Sequence, residues 1–138
     1  MAVLLDHVGI YVRDLERALS FYCDRLGLER PPVEEKPELA MRIARLRLGD
    51  VELELIEAPV ERTMLRHLPV RAPGPYHLGV RVDSTDRELA RLRAAGAPVL
   101  DAEPREGDGM RVAFLAPAAA GGVMIELVER RSTRAPGG

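Results

Sequence analysis

The sequence predicts an α+β fold in which one β-α-β-β-β unit occurs twice. Residues 6–12 align position for position with residues 76–82, and both segments contain a His-x-Gly motif within an apolar strand. Residues 51–55 and 123–127 are similar strands that close the two halves. Such a repeat indicates two copies that pack on each other, because each copy is too small to bury a core alone.

A helix should follow the first strand of each half. Asp14 in the first half, and Ser84 or Thr85 in the second, can accept hydrogen bonds from the free N–H groups of a helix start. Gly27 and Gly96 stand where these helices should end, because glycine readily adopts the left-handed conformation found there.

Hairpins should complete each half. Gly49-Asp50 and the glycine-rich residues 106–109 are turn signals, and apolar segments flank both. We therefore expect strands at residues 41–48, 51–57, 99–100, 110–115 and 122–128, with one helical turn near residues 61–67.

The repeat also predicts the domain organisation. We expect a single domain at residues 1–130, made of modules at about 4–58 and 76–130. The proline-rich residues 59–75 should link the modules, and residues 131–138 should form a flexible tail.

Composition and charge exclude several classes of protein. Lys and Arg number 20 against 22 Asp and Glu, a net charge of -2, whereas nucleic-acid and anionic membrane partners usually select a basic surface. No apolar run approaches the roughly 18 to 20 residues that span a bilayer, and the N-terminus lacks a signal-peptide pattern. Cys23 is the single cysteine, so an intrachain disulfide is excluded. We expect a cytoplasmic protein that binds neither nucleic acid nor membrane.

Each half contributes one histidine near its start and one carboxylate in its last strand. These residues are His7 and Glu54 in the first half and His77 and Glu126 in the second. A carboxylate in an apolar strand, such as Glu126, is costly to bury unless it is paired or bound to a cation. Two imidazoles and two carboxylates suit one divalent transition metal, such as Co, Ni, Zn, Mn or Fe.

Single residues in this set also have structural interpretations. His7 alone would more often be a hydrogen-bonded core residue, and Glu54 alone would more often pair with Arg42 or Arg47. The recurrence of histidine and carboxylate in both halves favours the metal site. His67 lies outside the repeat and should be a surface residue.

The start of the chain resembles the opening signature of the vicinal oxygen chelate superfamily. This superfamily includes glyoxalase I, methylmalonyl-CoA epimerase, extradiol dioxygenases, and the fosfomycin and bleomycin resistance proteins. The signature is carried by residues 5–10, 14–18, 21–22 and 26–28, and the resemblance covers about residues 4–128. It implies a glyoxalase-like fold, in which paired modules form a cup-shaped mixed sheet, usually around one divalent metal and often in a homodimer.

Within the superfamily, the chain is most similar to methylmalonyl-CoA epimerases. Residues 54–57, 101–105 and 122–127 follow the pattern of that family. The resemblance implies a metal-dependent epimerase or isomerase that removes a proton α to a carbonyl group. Its substrate would be an acyl-CoA or a related 2-substituted acid derivative.

The resemblance also implies a role for each site residue. His7, Glu54, His77 and Glu126 would bind one Co, Ni, Zn or Mn ion. A carboxylate near the metal would remove the proton, and Glu126 is the first candidate for this base, with Glu54 the second because the repeat places the two symmetrically. Glu54 stands where epimerases often have glutamine, and Ile43 stands where many bacterial epimerases have a glutamate.

Two other functions remain open. A set of two histidines and two glutamates is that of bacterial glyoxalase I, a lactoylglutathione lyase. A non-catalytic binding protein of the bleomycin-resistance type would need an aromatic groove, which an aromatic content of 4% disfavours. Candidates for binding a substrate anion are Arg42, Arg45, Arg47, Arg105 and Arg111.

Overall fold

The computed structural model describes residues 3–59, 64–68 and 72–131 of the chain. Its strands are β1 (Leu4–Tyr11), β2 (Val33–Lys36), β3 (Met41–Leu48), β4 (Val51–Glu57), β5 (Gly74–Arg81), β6 (Arg105–Gly107), β7 (Met110–Leu115) and β8 (Met124–Arg130). Its helices are α1 (Leu15–Leu19), which continues as a π-helix at Ser20–Arg25, and α2 (Thr85–Ala94). Short 3-10 helices are found at Pro37–Leu39, Met64–His67 and Pro117–Ala120.

The strands form one mixed sheet in the order β2-β3-β4-β1-β5-β8-β7-β6. β1 and β5 pair antiparallel at its centre, and each runs parallel to the last strand of its own half, β4 or β8. The two halves therefore repeat one arrangement on either side of the β1–β5 pair. The predicted α+β fold with paired β-α-β-β-β units is confirmed.

The sheet is curled into a cup. Lys36 lies in β2, at one edge of the sheet, and Asp108 follows β6, at the other edge. Their side chains nevertheless form an ion pair of 2.8 Å. Because an open flat sheet would hold its edges far apart, this contact requires the walls of the two halves to approach each other.

Both helices begin at the predicted caps. The side chain of Asp14 accepts a hydrogen bond from the N–H of Arg17. Ser84 does the same for the N–H of Arg87, so Ser84 rather than Thr85 caps α2. Gly27 has a φ of 92°, in the left-handed region that the prediction required.

The helices cover the outer face of the sheet. Their apolar side chains pack on alternate residues of the strands beneath, which leaves the intervening residues to face the inside of the cup. The buried outer clusters consist of Leu15, Leu19, Ala44, Leu46 and Leu55 in the first half and Val82, Leu89, Ala113, Leu115 and Leu127 in the second.

One predicted strand lies elsewhere in the second half. Val99 forms only an isolated bridge with Leu115, and the outer strand of this half is β6. Asp108 and Gly109, with φ values of 51° and 75°, form the two-residue turn of the β6–β7 hairpin. Since such a turn joins directly adjacent strands, the outer strand must end at Gly107.

The predicted linker and tail are described in part. The expected helical turn near residues 61–67 is a 3-10 helix at Met64–His67, whereas residues 61–63 and the tail residues 132–138 lie outside the described residues. Among the described helices, none has the length and apolar character needed to cross a membrane.

Candidate metal centre

The two histidines of the repeat meet at the centre of the sheet. His7 lies opposite Gly79, and His77 lies opposite Gly9, on the paired strands β1 and β5. Their Nε2 atoms are 2.9 Å apart, and both side chains are buried. A Cβ atom on residue 79 would overlap the His7 ring, so glycine at this position makes room for the imidazole.

Glu126 completes a cluster of three potential metal ligands. Its Oε1 atom lies 2.8 Å from His7 Nε2 and 3.4 Å from His77 Nε2. Ligand atoms about 2.0–2.1 Å from a metal ion are separated from each other by about 2.8 to 3.4 Å in octahedral or tetrahedral geometry. The separations of the three atoms match this range, and the two nitrogens and one oxygen are ligands that transition metals accept.

Glu54 lies beside this cluster. Its Oε1 atom is 3.8 Å from His77 Nε2, and its Oε2 atom accepts a hydrogen bond of 2.5 Å from Arg45 Nη1. The ion pair expected with Arg42 or Arg47 is therefore made with Arg45. The two-residue turn at Gly49-Asp50 places Arg45 opposite Glu54, so counting back from that turn could have identified the partner.

Asp6 is a functional candidate that the sequence reasoning missed. Its Oδ2 atom lies 2.8 Å from His7 Nδ1, and it is almost fully buried. Arg81 and Arg130 both donate to its carboxylate, at distances of 2.7 to 3.1 Å. A carboxylate that accepts the second N–H of a ligating histidine fixes the orientation of the ring and strengthens the ligand.

The repeat offered no signal for Asp6, because Tyr76 occupies the equivalent position in the second half. Correspondingly, His77 Nδ1 is buried without a hydrogen-bond partner among the described residues. The rings of Tyr76 and Phe114 pack edge-on against His77 instead, with centroid distances of 4.6 and 5.7 Å. The orientation of the His7 ring is thus set by its contact with the Asp6 carboxylate, and that of the His77 ring by its contacts with two aromatic rings.

The electrostatics of the metal-free cluster favour charged side chains. Burial alone would lower the pKa of His7, but hydrogen bonds to Asp6 and Glu126 outweigh burial and raise that pKa to about 10. Burial alone would raise the pKa of Glu126, but hydrogen bonds with His7 and His77 lower it to about 2. At neutral pH His7 therefore carries a proton, which a metal cation binding to the cluster would displace.

The arginines considered for anion binding differ in their positions. Arg45 lies inside the cup, where it donates a hydrogen bond to Glu54. The Arg105 guanidinium lies 5.7 Å from the centroid of the Phe114 ring, which packs against His77. Arg111 instead pairs with Asp86 and Glu106, both of which are exposed.

The remaining histidine, His67, is exposed in its 3-10 helix, in agreement with the prediction.

Comparison with known proteins places this geometry in a family. A family model described as the Glyoxalase/Bleomycin resistance protein/Dioxygenase superfamily matches residues 6–114. An uncharacterized Bacillus subtilis protein, YqjC, is 34% identical over 128 residues, which cover 91% of each chain. The mitochondrial methylmalonyl-CoA epimerase of Mus musculus is 32% identical over 129 residues, covering 89% of this chain and 71% of the mouse protein.

A lyase and a solved structure extend the comparison. The lactoylglutathione lyase of Haemophilus influenzae is 30% identical over 131 residues, covering 93% of each chain. A structure of a methylmalonyl-CoA epimerase in complex with methylmalonyl-CoA and NH4+ superposes with a TM-score of 0.83 at 29% identity, covering 99% of this chain and 100% of the other. The chain belongs to the glyoxalase/bleomycin resistance protein/dioxygenase superfamily, and epimerases are among its relatives.

Proposed function

We propose that the chain is a metal-dependent epimerase that removes and returns the proton α to the thioester carbonyl of a methylmalonyl-CoA-like acyl-CoA. The observation that carries the proposal is the cluster of His7, His77 and Glu126, whose ligand atoms lie at the spacing of a coordination shell inside the cup. The similarity to methylmalonyl-CoA epimerases over nearly the whole chain supports the same function.

The four site residues would share the work of binding the metal and moving the proton. His7, His77 and Glu126, with Glu54 as the fourth ligand, would hold one Co, Ni, Zn or Mn ion. When bound, such an ion supplies Lewis-acid stabilisation of the negative charge that develops on the carbonyl oxygen as the proton leaves. Asp6 keeps the His7 ring directed at the cluster, and Phe114 and Tyr76 form an apolar wall beside His77.

Both candidates for the base lie in the last strand of a half. Ile43, where many bacterial epimerases have a glutamate, is buried and lies opposite Ile56, so the third strand offers no carboxylate at that position. Glu126 is the preferred base, because with its Oε1 atom in the cluster its second oxygen would be left to take the proton of a substrate bound there. Glu54 is the second candidate, and its Oε2 atom is engaged by Arg45.

Deuterium exchange tests the proposal directly. The protein is treated with EDTA, reloaded with Co²⁺, Ni²⁺, Zn²⁺ or Mn²⁺, and incubated in D₂O with methylmalonyl-CoA. We expect metal-dependent incorporation of deuterium at C2 together with conversion of a single C2 epimer into a mixture of both epimers. Glu126→Gln should lower the rate by about 10²- to 10⁴-fold, the usual contribution of a general base. Near-normal exchange by this variant would exclude Glu126 as the base.

Elemental analysis tests the metal separately from the reaction. Protein purified without a chelator or histidine tag should contain about one transition metal ion per chain, because the chain has one such cluster of ligands among its described residues. The ion should be lost in His7→Ala and Glu126→Ala. If the protein neither contains nor takes up metal, the cluster is structural and a binding protein of the bleomycin-resistance type becomes the better explanation.

A lactoylglutathione lyase is the second candidate function. The carboxylate of Glu54 beside the cluster favours it, since bacterial glyoxalase I has two histidines and two glutamates, and a lyase is among the relatives. Turnover of the hemithioacetal of methylglyoxal and glutathione, without exchange of methylmalonyl-CoA, would select this function.

The assembly and location of the protein remain predictions. A homodimer would show twice the mass of the 15.2 kDa chain in sedimentation equilibrium. Together with the epimerase function, we propose a small-molecule substrate, no nucleic-acid or membrane partner, and a cytoplasmic location.

A further inference from the structure

Arg45 is fixed inside the cup by three carboxylates, each on a different nitrogen of its guanidinium group. Nε donates to Glu34 at 2.8 Å, Nη1 to Glu54 at 2.5 Å and Nη2 to Asp108 at 3.2 Å. Glu34 belongs to β2, Glu54 to β4 and Asp108 to the β6–β7 turn of the other half. Since all three nitrogens are engaged, the guanidinium has one orientation, and it presents Nη1 to Glu54.

The second half has no equivalent of this arginine. Arg45 is the cross-strand neighbour of Glu54, whereas Phe114 is the cross-strand neighbour of Glu126. The two glutamates occupy equivalent positions in the repeat, but a cation holds one and an aromatic ring flanks the other. Glu54 contacts Arg45 through Oε2 and faces His77 through Oε1. Glu126 contacts both histidines through Oε1.

We propose that Arg45 is a positioning residue that restricts Glu54 to a single metal-binding oxygen and so distinguishes the roles of the two glutamates. This inference rests on the proposed metal-dependent function. With Oε2 bound to Arg45, Glu54 can offer only Oε1 to an ion. Glu126, which has no arginine across the strand, remains the carboxylate that moves the proton.

The restriction matters because the number of ligand atoms determines how many positions a substrate can occupy. Four protein ligands of one atom each leave two positions free on an octahedral ion, enough for two oxygens of one substrate. A glutamate that binds through both oxygens would fill one of these positions.

The test uses Co²⁺ and oxalate, a small anion that chelates through two oxygens, on wild type, Arg45→Met, Glu54→Gln and the double variant. Co²⁺ absorption reports the coordination number, and calorimetry gives the affinities for Co²⁺ and then for oxalate. We expect Arg45→Met to change the Co²⁺ spectrum and to weaken oxalate binding by about 10- to 100-fold, the usual effect of removing a partner of a metal ligand. A glutamine side chain has a single oxygen and binds a metal through it whether or not Arg45 is present. In the Glu54→Gln background, Arg45→Met should therefore change neither the Co²⁺ spectrum nor the oxalate affinity.

Arg91→Met is the matched control, because Arg91 pairs with Glu88 on the outer helix α2. It should leave the Co²⁺ spectrum and oxalate affinity unchanged. Equal effects of Arg45→Met in both backgrounds would show a general structural role and overturn the inference, as would identical spectra and affinities for wild type and Arg45→Met. Failure of the wild type to bind Co²⁺ would overturn both the inference and the proposed metal-dependent function.

Discussion

Gly9 lies directly opposite His77, and the imidazole of His77 fills the space that a side chain on residue 9 would need. A Cβ atom on residue 9 would overlap three atoms of the ring. Gly79 has the same relationship to His7. The His-x-Gly motif of each half therefore serves two purposes: its histidine points into the site, and its glycine accommodates the histidine of the other half.

Gly9→Ala should displace the His77 ring and weaken metal binding. The overlapping atoms belong to a buried ring between Tyr76 and Phe114, so the ring cannot move aside without disturbing its packing. We expect Co²⁺ affinity, measured by titration calorimetry, to fall by about 10- to 100-fold. Gly107→Ala is the control, because a Cβ there has no atom within 4 Å and its φ is not positive. Equal affinities in the two variants would contradict the prediction.

The repeat explains how the candidate site residues could be found from the sequence. It identified His7, His77, Glu54 and Glu126 without any knowledge of the sheet, because equivalent positions on two copies of one unit converge where the copies pair. The structure places the ligand atoms of the two histidines and Glu126 in one cluster and that of Glu54 beside it. The predicted metal-ligand and base roles of these residues remain to be tested.

What the repeat could not predict are contacts that differ between the halves. Asp6 has Tyr76 as its counterpart, and its partners Arg81 and Arg130 come from strands of the other half. Alternation along β1 also places neighbours on opposite faces, but a register shift between Leu5 and His7 makes the pairing of β1 with β5 irregular there. Such irregularities depend on the pairing of β1 with β5, which a single sequence does not specify.

Asp6→Asn should weaken metal binding while Glu126 and both histidines remain in place. Burial alone would raise the pKa of Asp6, but hydrogen bonds with His7 and the two arginines hold that pKa well below its usual range. The neutral amide cannot stabilise the His7 ring in the same way, so we expect a loss of Co²⁺ affinity of about 10- to 100-fold. Asp86→Asn, which removes an arginine-paired carboxylate on the outside of the protein, should leave affinity unchanged. Thermal unfolding of the metal-free variants would separate loss of affinity from loss of fold.

Asp108→Asn should cost little stability although it breaks two ion pairs that join the walls of the cup. Asp108 bonds to Lys36 and Arg45, but its side chain is 41% exposed. Exposed pairs contribute at most about 1 kcal/mol each, and asparagine tolerates the positive φ of this turn. We expect urea unfolding to show a loss of at most about 2 kcal/mol for the two pairs, relative to Glu103→Gln, an exposed carboxylate before β6. A loss several times larger would mean that the contact between the walls is part of the folded core.

The stability of the metal-free protein should fall between neutral and alkaline pH. Hydrogen bonds to Asp6 and Glu126 raise the pKa of His7 from 6.5 to about 10 despite its burial. A group with a raised pKa in the fold contributes stability that is fully present below its unfolded pKa and is lost as the pH rises through its folded pKa. With EDTA present, we therefore expect the unfolding free energy in urea to decrease from about pH 6.5 towards pH 10, and His7→Gln should remove this part of the decrease.

Metal binding should have the opposite pH dependence to the stability of the metal-free protein, because a ligating His7 must give up its proton. The affinity for Zn²⁺ should rise with pH, and binding near pH 7 should release about one proton from His7. Calorimetric titrations in two buffers of different ionisation enthalpy measure this release as a difference in heat. Equal heats in both buffers would mean that Zn²⁺ binds without displacing the His7 proton, and the cluster of His7, His77 and Glu126 would then not be the metal site.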